Sequence, residues 1–237
     1  MSITPQTKST FISFAGLQYP GSGKVLDVRP WQDSPSIEMD LHLPAIDMYN
    51  WTSLIQISFR VSDHCFRNYI PFGWDAETST CSLLINGSED KIVDQWAKML
   101  QTGDQVHYND MYTCSEKLHP GNLIVGMGDS CSMSFLLALQ QLIAPAYRFD
   151  GAIYLDCPQT IRLFSEYFDT PLTVVKSQQD LIKWLISQQY CWDHTGFFLS
   201  GDACLTAEIQ KLWRNLGHRN IQIFLETGQL IHQNLKS

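Results

Sequence analysis

The chain has 237 residues, 44% hydrophobic and only 17% charged, which excludes a disordered polymer and leaves room for one large domain or two ordinary ones. Its formal charge of −8 repels nucleic acids and anionic membranes, so no nucleic-acid partner is expected. The seven cysteines contain no CxxC pair and suit buried small hydrophobes in a reducing cytoplasm.

The opening MSITPQTKST lacks the basic-then-apolar order of a secretion signal. The richest apolar stretch, Met133 to Ala146, is shorter than the about 20 residues of a membrane-spanning helix. A cytoplasmic protein with no membrane insertion is expected. Strands are predicted at Lys24 to Trp31, Ser36 to Leu43, Ser53 to Val61 and Thr80 to Ile85, punctuated by Pro, Gly, Asp and Ser. A helix follows, with Ser88 as its N-cap, Glu89 and Asp90 in its first turn, and Ile92, Val93, Trp96 and Leu100 as its apolar stripe. It stops at Thr102-Gly103, and extended structure resumes at Gln105 to Asn109. Many strands with one helix predict a small closed antiparallel β-barrel.

Near residue 120 the period changes. Strands at 122–126, 151–156, 171–176, 196–200 and 220–226 alternate with helices at 132–143, 159–167, 178–189 and 205–216. That alternation predicts a C-terminal α/β domain with a five-stranded parallel sheet. Leu118 to Gly121 marks the boundary, giving domains at 1–118 and 119–237.

Four short segments carry candidate chemistry. Arg67-Asn68-Tyr69-Ile70 places a planar guanidinium and a flat phenol on one strand, suited to a phosphate and an aromatic ring. Lys91-Ile92-Val93-Asp94-Gln95-Trp96-Ala97 opens the helix, with Thr102-Gly103-Asp104 beyond it. Lys91 can pair with a phosphate, whereas Asp94, Glu89 and Asp90 put negative charge at the same helix start. Gly126-Met127-Gly128-Asp129-Ser130 lies at the carboxyl end of the first parallel strand, where such sheets bind ligands. Its glycine spacing is not the GxGxxG fingerprint. Gly201-Asp202-Ala203 follows a later strand, and its small residues permit close backbone approach.

Gly128-Asp129-Ser130 also matches the GDS block of lipase-type hydrolases, with Ser130 as nucleophile. That mechanism needs a general-base His, usually from a late Asp-x-x-His, and the Asp-x-x-His here, Asp104 to His107, comes before Ser130 rather than after it. The seven histidines show no metal-ligand spacing.

Together these segments resemble the ferredoxin-reductase superfamily, and within it the siderophore-interacting proteins, which are flavin-dependent ferric-siderophore reductases. The resemblance implies that Arg67, Asn68, Tyr69 and Ile70 stand where that family has its Arg-x-Tyr-Ser/Thr strand, which clamps the FAD pyrophosphate and packs on the isoalloxazine. Lys91, Ile92 and Val93 correspond to a second FAD contact at a helix start. Gly128, Asp129, Ser130, Gly201 and Asp202 correspond to contacts with NADH or NADPH. It implies hydride transfer from nicotinamide to flavin and then electrons to a small-molecule acceptor such as a ferric siderophore, with no side chain as acid or base. The chain departs from the pattern at Ile70, which has no hydroxyl, and after Gly228, where Gln229 and Leu230 replace a Tyr-Trp pair. The alternative is a degenerate domain of the same fold that has lost flavin and serves as a binding or regulatory module.

Overall fold

A computed structural model describes residues 12–14, 17–19, 21–87, 90–113, 123–143, 147–191, 194–215, 221–225 and 230–232. Two short strands, β1 (Ile12–Phe14) and β2 (Leu17–Tyr19), pair with each other. Seven more, β3 (Gly21–Pro30), β4 (Ser36–His42), β5 (Ile55–Ser62), β6 (Cys65–Tyr69), β7 (Phe72–Asp75), β8 (Thr80–Asn86) and β9 (Gln105–Thr113), form one antiparallel sheet in the order β6-β5-β9-β3-β4-β8-β7.

This sheet is a curled half-barrel rather than the closed barrel expected. The strands at its two edges, β6 and β7, are joined only by Ile70-Pro71. From Tyr69 to Phe72 the backbone reaches at most about 11 Å, so the sheet must curl until its edges nearly meet. Pro71 has no N–H to donate, and among the described residues no ladder closes the seam.

The helix after β8, α1 (Lys91–Met99), packs on the half-barrel against β5 and β8. Val93 and Ala97 are buried with Val25, Met39, Leu41, Ile57 and Phe59 in the barrel core. Ile92, expected on the apolar stripe, is instead exposed. The turn that ends the helix uses Gly103 at φ +99°, a conformation glycine adopts without strain, and Gly103 N donates to Val25 O at 2.8 Å. That bond sits at the β-bulge between Val25 and Asp27.

The second half holds β10 (Leu123–Gly128), α2 (Met133–Ile143), β11 (Arg148–Tyr154), α3 (Pro158–Tyr167), β12 (Leu172–Val175), α4 (Gln178–Ser187), β13 (Thr195–Gly201), α5 (Ala203–Asn215), β14 (Ile221–Leu225) and β15 (Leu230–His232). The sheet order is β12-β11-β10-β13-β14-β15. Its pairings are parallel up to β14, and β15 returns antiparallel at the edge, a strand not anticipated from sequence. The central strands β10 and β13 are buried almost throughout, as a sheet covered on both faces requires.

One face of this sheet packs α5 and α4 around Trp213, Ile209, Leu181 and Leu185. The other face packs α2 and α3, and that core runs without interruption into the half-barrel through Trp31, Leu54, Phe72 and Leu84. Polar ties cross the same junction. Ser134 Oγ accepts from Leu84 N at 2.8 Å and donates to Leu84 O at 3.3 Å. Gln141 Nε2 donates to Trp74 O at 2.9 Å, and the Ser34 and Thr160 hydroxyls bond at 2.6 Å. The boundary expected at Leu118 to Gly121 lies outside the described residues.

Candidate functional site

The first candidate cluster forms where β6 faces the start of α1. Asp90, not Ser88, caps this helix: Ile92 N and Val93 N donate to its Oδ1 at 2.9 and 3.4 Å. Ser88 and Glu89 lie outside the described residues. The other oxygen of Asp90, Oδ2, takes Nε of Arg67 at 2.8 Å and Nη2 of Arg67 at 2.7 Å. The remaining Arg67 nitrogen, Nη1, donates to Phe66 O at 2.9 Å and to Cys65 Sγ at 2.7 Å.

The arrangement is a helix N-cap joined to an ion pair, and its donors, a forked guanidinium and helix N-terminal amides, are of the kind that bind oxyanions. Here they hold the chain's own carboxylate. The pair stabilises both charges: Arg67 beside it, and the two helix N–H groups, hold Asp90 below the ordinary carboxylate range, while Asp90 raises the Arg67 guanidinium. Asp94, read from sequence as an acid in the same place, is engaged elsewhere. It pairs with Lys98 one turn on, at 2.7 Å, and packs over Gly87. Lys91 is exposed beside the cluster.

Tyr69 lies next along β6, its ring stacked on Trp96 at 6.3 Å and 19° and tilted against Phe59 at 6.2 Å. Trp96-Ala97 is therefore explained within the chain: Ala97 fills the barrel core and Trp96 supports the Tyr69 phenol. Asn68 pairs in register with Ser58. Ile70 packs against the core shared with α2 and α3. Its apolar side chain thus serves the junction between the halves, which a hydroxyl there would weaken.

The second cluster lies at the carboxyl edge of the parallel sheet. A single 3₁₀ turn, Ser130–Ser132, links β10 to α2, and Asp129 caps it. Asp129 is only 6% exposed and both its carboxylate oxygens are engaged. Oδ1 accepts from Cys131 N at 3.0 Å and Ser132 Oγ at 3.1 Å, and Oδ2 accepts from Asp202 N at 2.7 Å. Asp202 in turn caps α5, with Leu205 N donating to its Oδ1 at 2.6 Å. The two loops are clasped together by one buried carboxylate.

The glycines serve this clasp. A Cβ on Gly201, which has φ +146°, would stand 2.6 Å from Asp129 Oδ2. A Cβ on Gly128 would collide with Ser132. The close approach that the sequence suggested for a ligand is made by the chain's own side chains. Burial pushes the Asp129 carboxyl up, against the lowering effect of its hydrogen bonds. Burial also raises the half-buried Tyr154 phenol, with Asp156, Asp129 and Asp202 adding to the effect, so the surroundings of this edge are acidic. Ser130 Oγ accepts from Asn86 Nδ2 at 3.1 Å, a donor with no basic character, which removes the physical basis of the hydrolase reading.

No protein-family model and no curated protein matches the chain. Solved structures do. The siderophore-interacting protein from Acinetobacter baumannii superposes with TM-score 0.68 at 10% identity, covering 82% of this chain and 83% of that one. A ferredoxin NADP+ reductase from Neisseria gonorrhoeae with bound FAD and NADP gives TM-score 0.65 at 12% identity, covering 86% and 98%. An intact type IV self-sufficient cytochrome P450 monooxygenase gives TM-score 0.71 at 10% identity over 87% of this chain, which spans only 28% of that protein. The chain has the ferredoxin-reductase-like fold, shared with siderophore-interacting proteins. Among the described residues no helix is long and apolar enough to cross a membrane, and no group of His, Cys, Asp and Glu could hold a metal ion.

Proposed function

We propose that the chain is a flavin-dependent NAD(P)H oxidoreductase, with residues 1–118 as the flavin-binding part and 119–237 as the nicotinamide-binding part. The observation that carries this is the donor set on β6 and α1, on a fold whose solved relatives include a reductase with bound FAD and NADP. The carboxylate of Asp90 stands in for a phosphate oxygen, so the donor set suits a diphosphate once that carboxylate has turned away. Arg67, the amides of Ile92 and Val93, and the exposed Lys91 would then hold the FAD diphosphate, with Tyr69 beside the ring system. When bound, the flavin supplies hydride acceptance and single-electron release.

The chain's own contribution is orientation. The Trp96 stack fixes the Tyr69 ring, and the continuous core behind Ile70 fixes the half-barrel against the parallel sheet. The nicotinamide half docks at the edge formed by Ser130, Tyr154 and Asp202. The acids there disfavour a phosphate and would favour the positive charge the nicotinamide ring gains when its hydride leaves, so the nucleotide's own diphosphate would lie away from them. The final acceptor is a small molecule. A ferric siderophore is the candidate suggested by the relative from Acinetobacter baumannii.

The second reading, a flavin-free binding module, is favoured by the same Arg67–Asp90 pair, since it fills the phosphate position from within. One experiment separates the two. Protein mixed with FAD, passed through a desalting column with FAD in the buffer and made anaerobic is expected to show flavin absorbance that bleaches on adding NADH or NADPH. Protein that takes up no FAD at several hundred micromolar refutes the reductase reading.

A further inference from the structure

We infer that Asp90 is a built-in competitor for diphosphate at the flavin site, so that the chain holds FAD weakly and exchanges it readily. The inference rests on the flavin reading above and adds to it the residue that sets cofactor affinity. Asp90 uses both of its oxygens on the donors a diphosphate needs: Oδ2 on Nε and Nη2 of Arg67, Oδ1 on the amides of Ile92 and Val93. Arg67 spends both N–H groups of Nη1 on Phe66 O and Cys65 Sγ, so beside Asp90 only the second N–H of Nη2 is left, too little for the fork a diphosphate takes.

A diphosphate must therefore displace Asp90. Of the two cations on its own helix, Lys98 is held by Asp94 at 2.7 Å, and Lys91 is one the diphosphate would itself engage, so the displaced carboxylate competes with the ligand for it. As the residue next to Ile92 and Val93 at the helix start, Asp90 stays close to the ligand whichever way its side chain turns, and like charges then repel. Ligand binding must overcome both the lost Arg67 pair and that repulsion. The displacement itself is feasible because Asp90 and Arg67 are partly exposed, at 29% and 41% of their side chains, so water replaces what the pair gives up.

Asp90→Asn isolates the effect. Asparagine caps a helix as well as aspartate does, so Oδ1 can still accept from the α1 amides. The charge on Arg67 is no longer cancelled, and nothing repels the phosphates. Titrations of the full chain with FAD, inorganic pyrophosphate and riboflavin, followed by flavin fluorescence and calorimetry, test it. For Asp90→Asn we expect FAD and pyrophosphate to bind at least tenfold more tightly than to wild type, and riboflavin, which has no phosphate, to bind as before. Adding Arg67→Gln should abolish the gain. Asp90→Ser, a second capping residue, guards against a folding artefact in either single variant.

Unchanged FAD and pyrophosphate affinity in folded Asp90→Asn and Asp90→Ser overturns the inference and leaves the flavin reading intact. A gain in pyrophosphate binding with no FAD uptake by any variant supports Asp90 as the competitor and refutes flavin as the ligand.

Discussion

Asp129→Asn tests whether the loop at the carboxyl edge is a clasp. In the wild-type protein the Asp129 carboxylate accepts from two backbone amides, Cys131 N and Asp202 N, and from Ser132 Oγ. Asparagine offers one oxygen. If that oxygen keeps the Cys131 and Ser132 side, its Nδ2 is a donor aimed at the Asp202 N–H. A part-buried, charge-assisted hydrogen bond is then lost, at a cost of about 1–3 kcal/mol. For a chain of this size that lowers the midpoint of thermal unfolding by about 2–10 °C.

The cost should depend on pH in a definite direction. The Asp129 carboxyl is raised above its value in the unfolded chain, burial being the largest cause. Its contribution to stability is then fully present below the unfolded carboxyl pKa and is lost as pH rises through the folded value. Asparagine has no such slope. The difference between wild type and variant should widen as pH falls from 7 towards about 4. Thermal melts by circular dichroism at pH 7.5, 6 and 4.5 would measure it. Equal melting temperatures at every pH, or a gap that narrows on acidification, would mean that Asp129 is not buried against Asp202 and that the clasp does not exist.

Gly201→Ala should be as damaging as Asp129→Asn, at about 1–3 kcal/mol, because alanine strains the backbone there and its methyl meets Asp129 Oδ2; urea unfolding would show the shift. Ser134→Ala leaves the buried Leu84 N–H and C=O without their hydroxyl partner and should cost about 1–3 kcal/mol, lowering the urea midpoint while the two halves still unfold in one transition. Two separate transitions would mean that the shared core does not couple them. Cys157, at the start of α3, has its thiol held below the ordinary range, chiefly by the Thr160 hydroxyl, whereas burial pushes the Cys81 thiol up to about 12. Iodoacetamide at pH 7 followed by peptide mass spectrometry should find Cys157 modified at a rate matching or exceeding the more exposed Cys191 and Cys204, with Cys81 untouched.

What the sequence makes legible here is local. The change near residue 120 from alternating strands to strand-helix units is written in side-chain periodicity, and α2 to α5 fall close to their expected spans. Strands β1, β2, β6, β7 and β15 have three to five residues each, too few for a period to emerge. The cap of α1 shows the deeper limit. Ser88 and Asp90 are equally good capping residues, and the choice of Asp90 goes with Arg67, which is 23 positions away. Gly128 and Gly201 announce a close approach, but sequence cannot say that the approaching group is Ser132 or the Asp129 carboxylate rather than a ligand. Ile70 departs from a flavin-binding pattern in sequence, while in space it meets a core contributed by the other half of the chain.

Both candidate subsites are thus filled by aspartates, but the two are not equivalent, and the difference decides where a ligand can enter. Freeing Asp90 gives up one partly exposed ion pair, worth at most about 1 kcal/mol, and a helix cap worth about 1 kcal/mol. An incoming diphosphate restores both kinds of contact to the same donors. Freeing Asp129 strands the Asp202 amide and the 3₁₀-turn amide in a partly buried setting, and the close packing of Gly128 and Gly201 leaves little room for a replacement. Those donors would go unsatisfied at several kcal/mol. On the proposed reading, anion exchange belongs to the half-barrel side, at Arg67 and α1. On the same reading, a ligand at the sheet edge lies on its outer surface, at Ser130, Tyr154 and Asp202, without opening the clasp beneath.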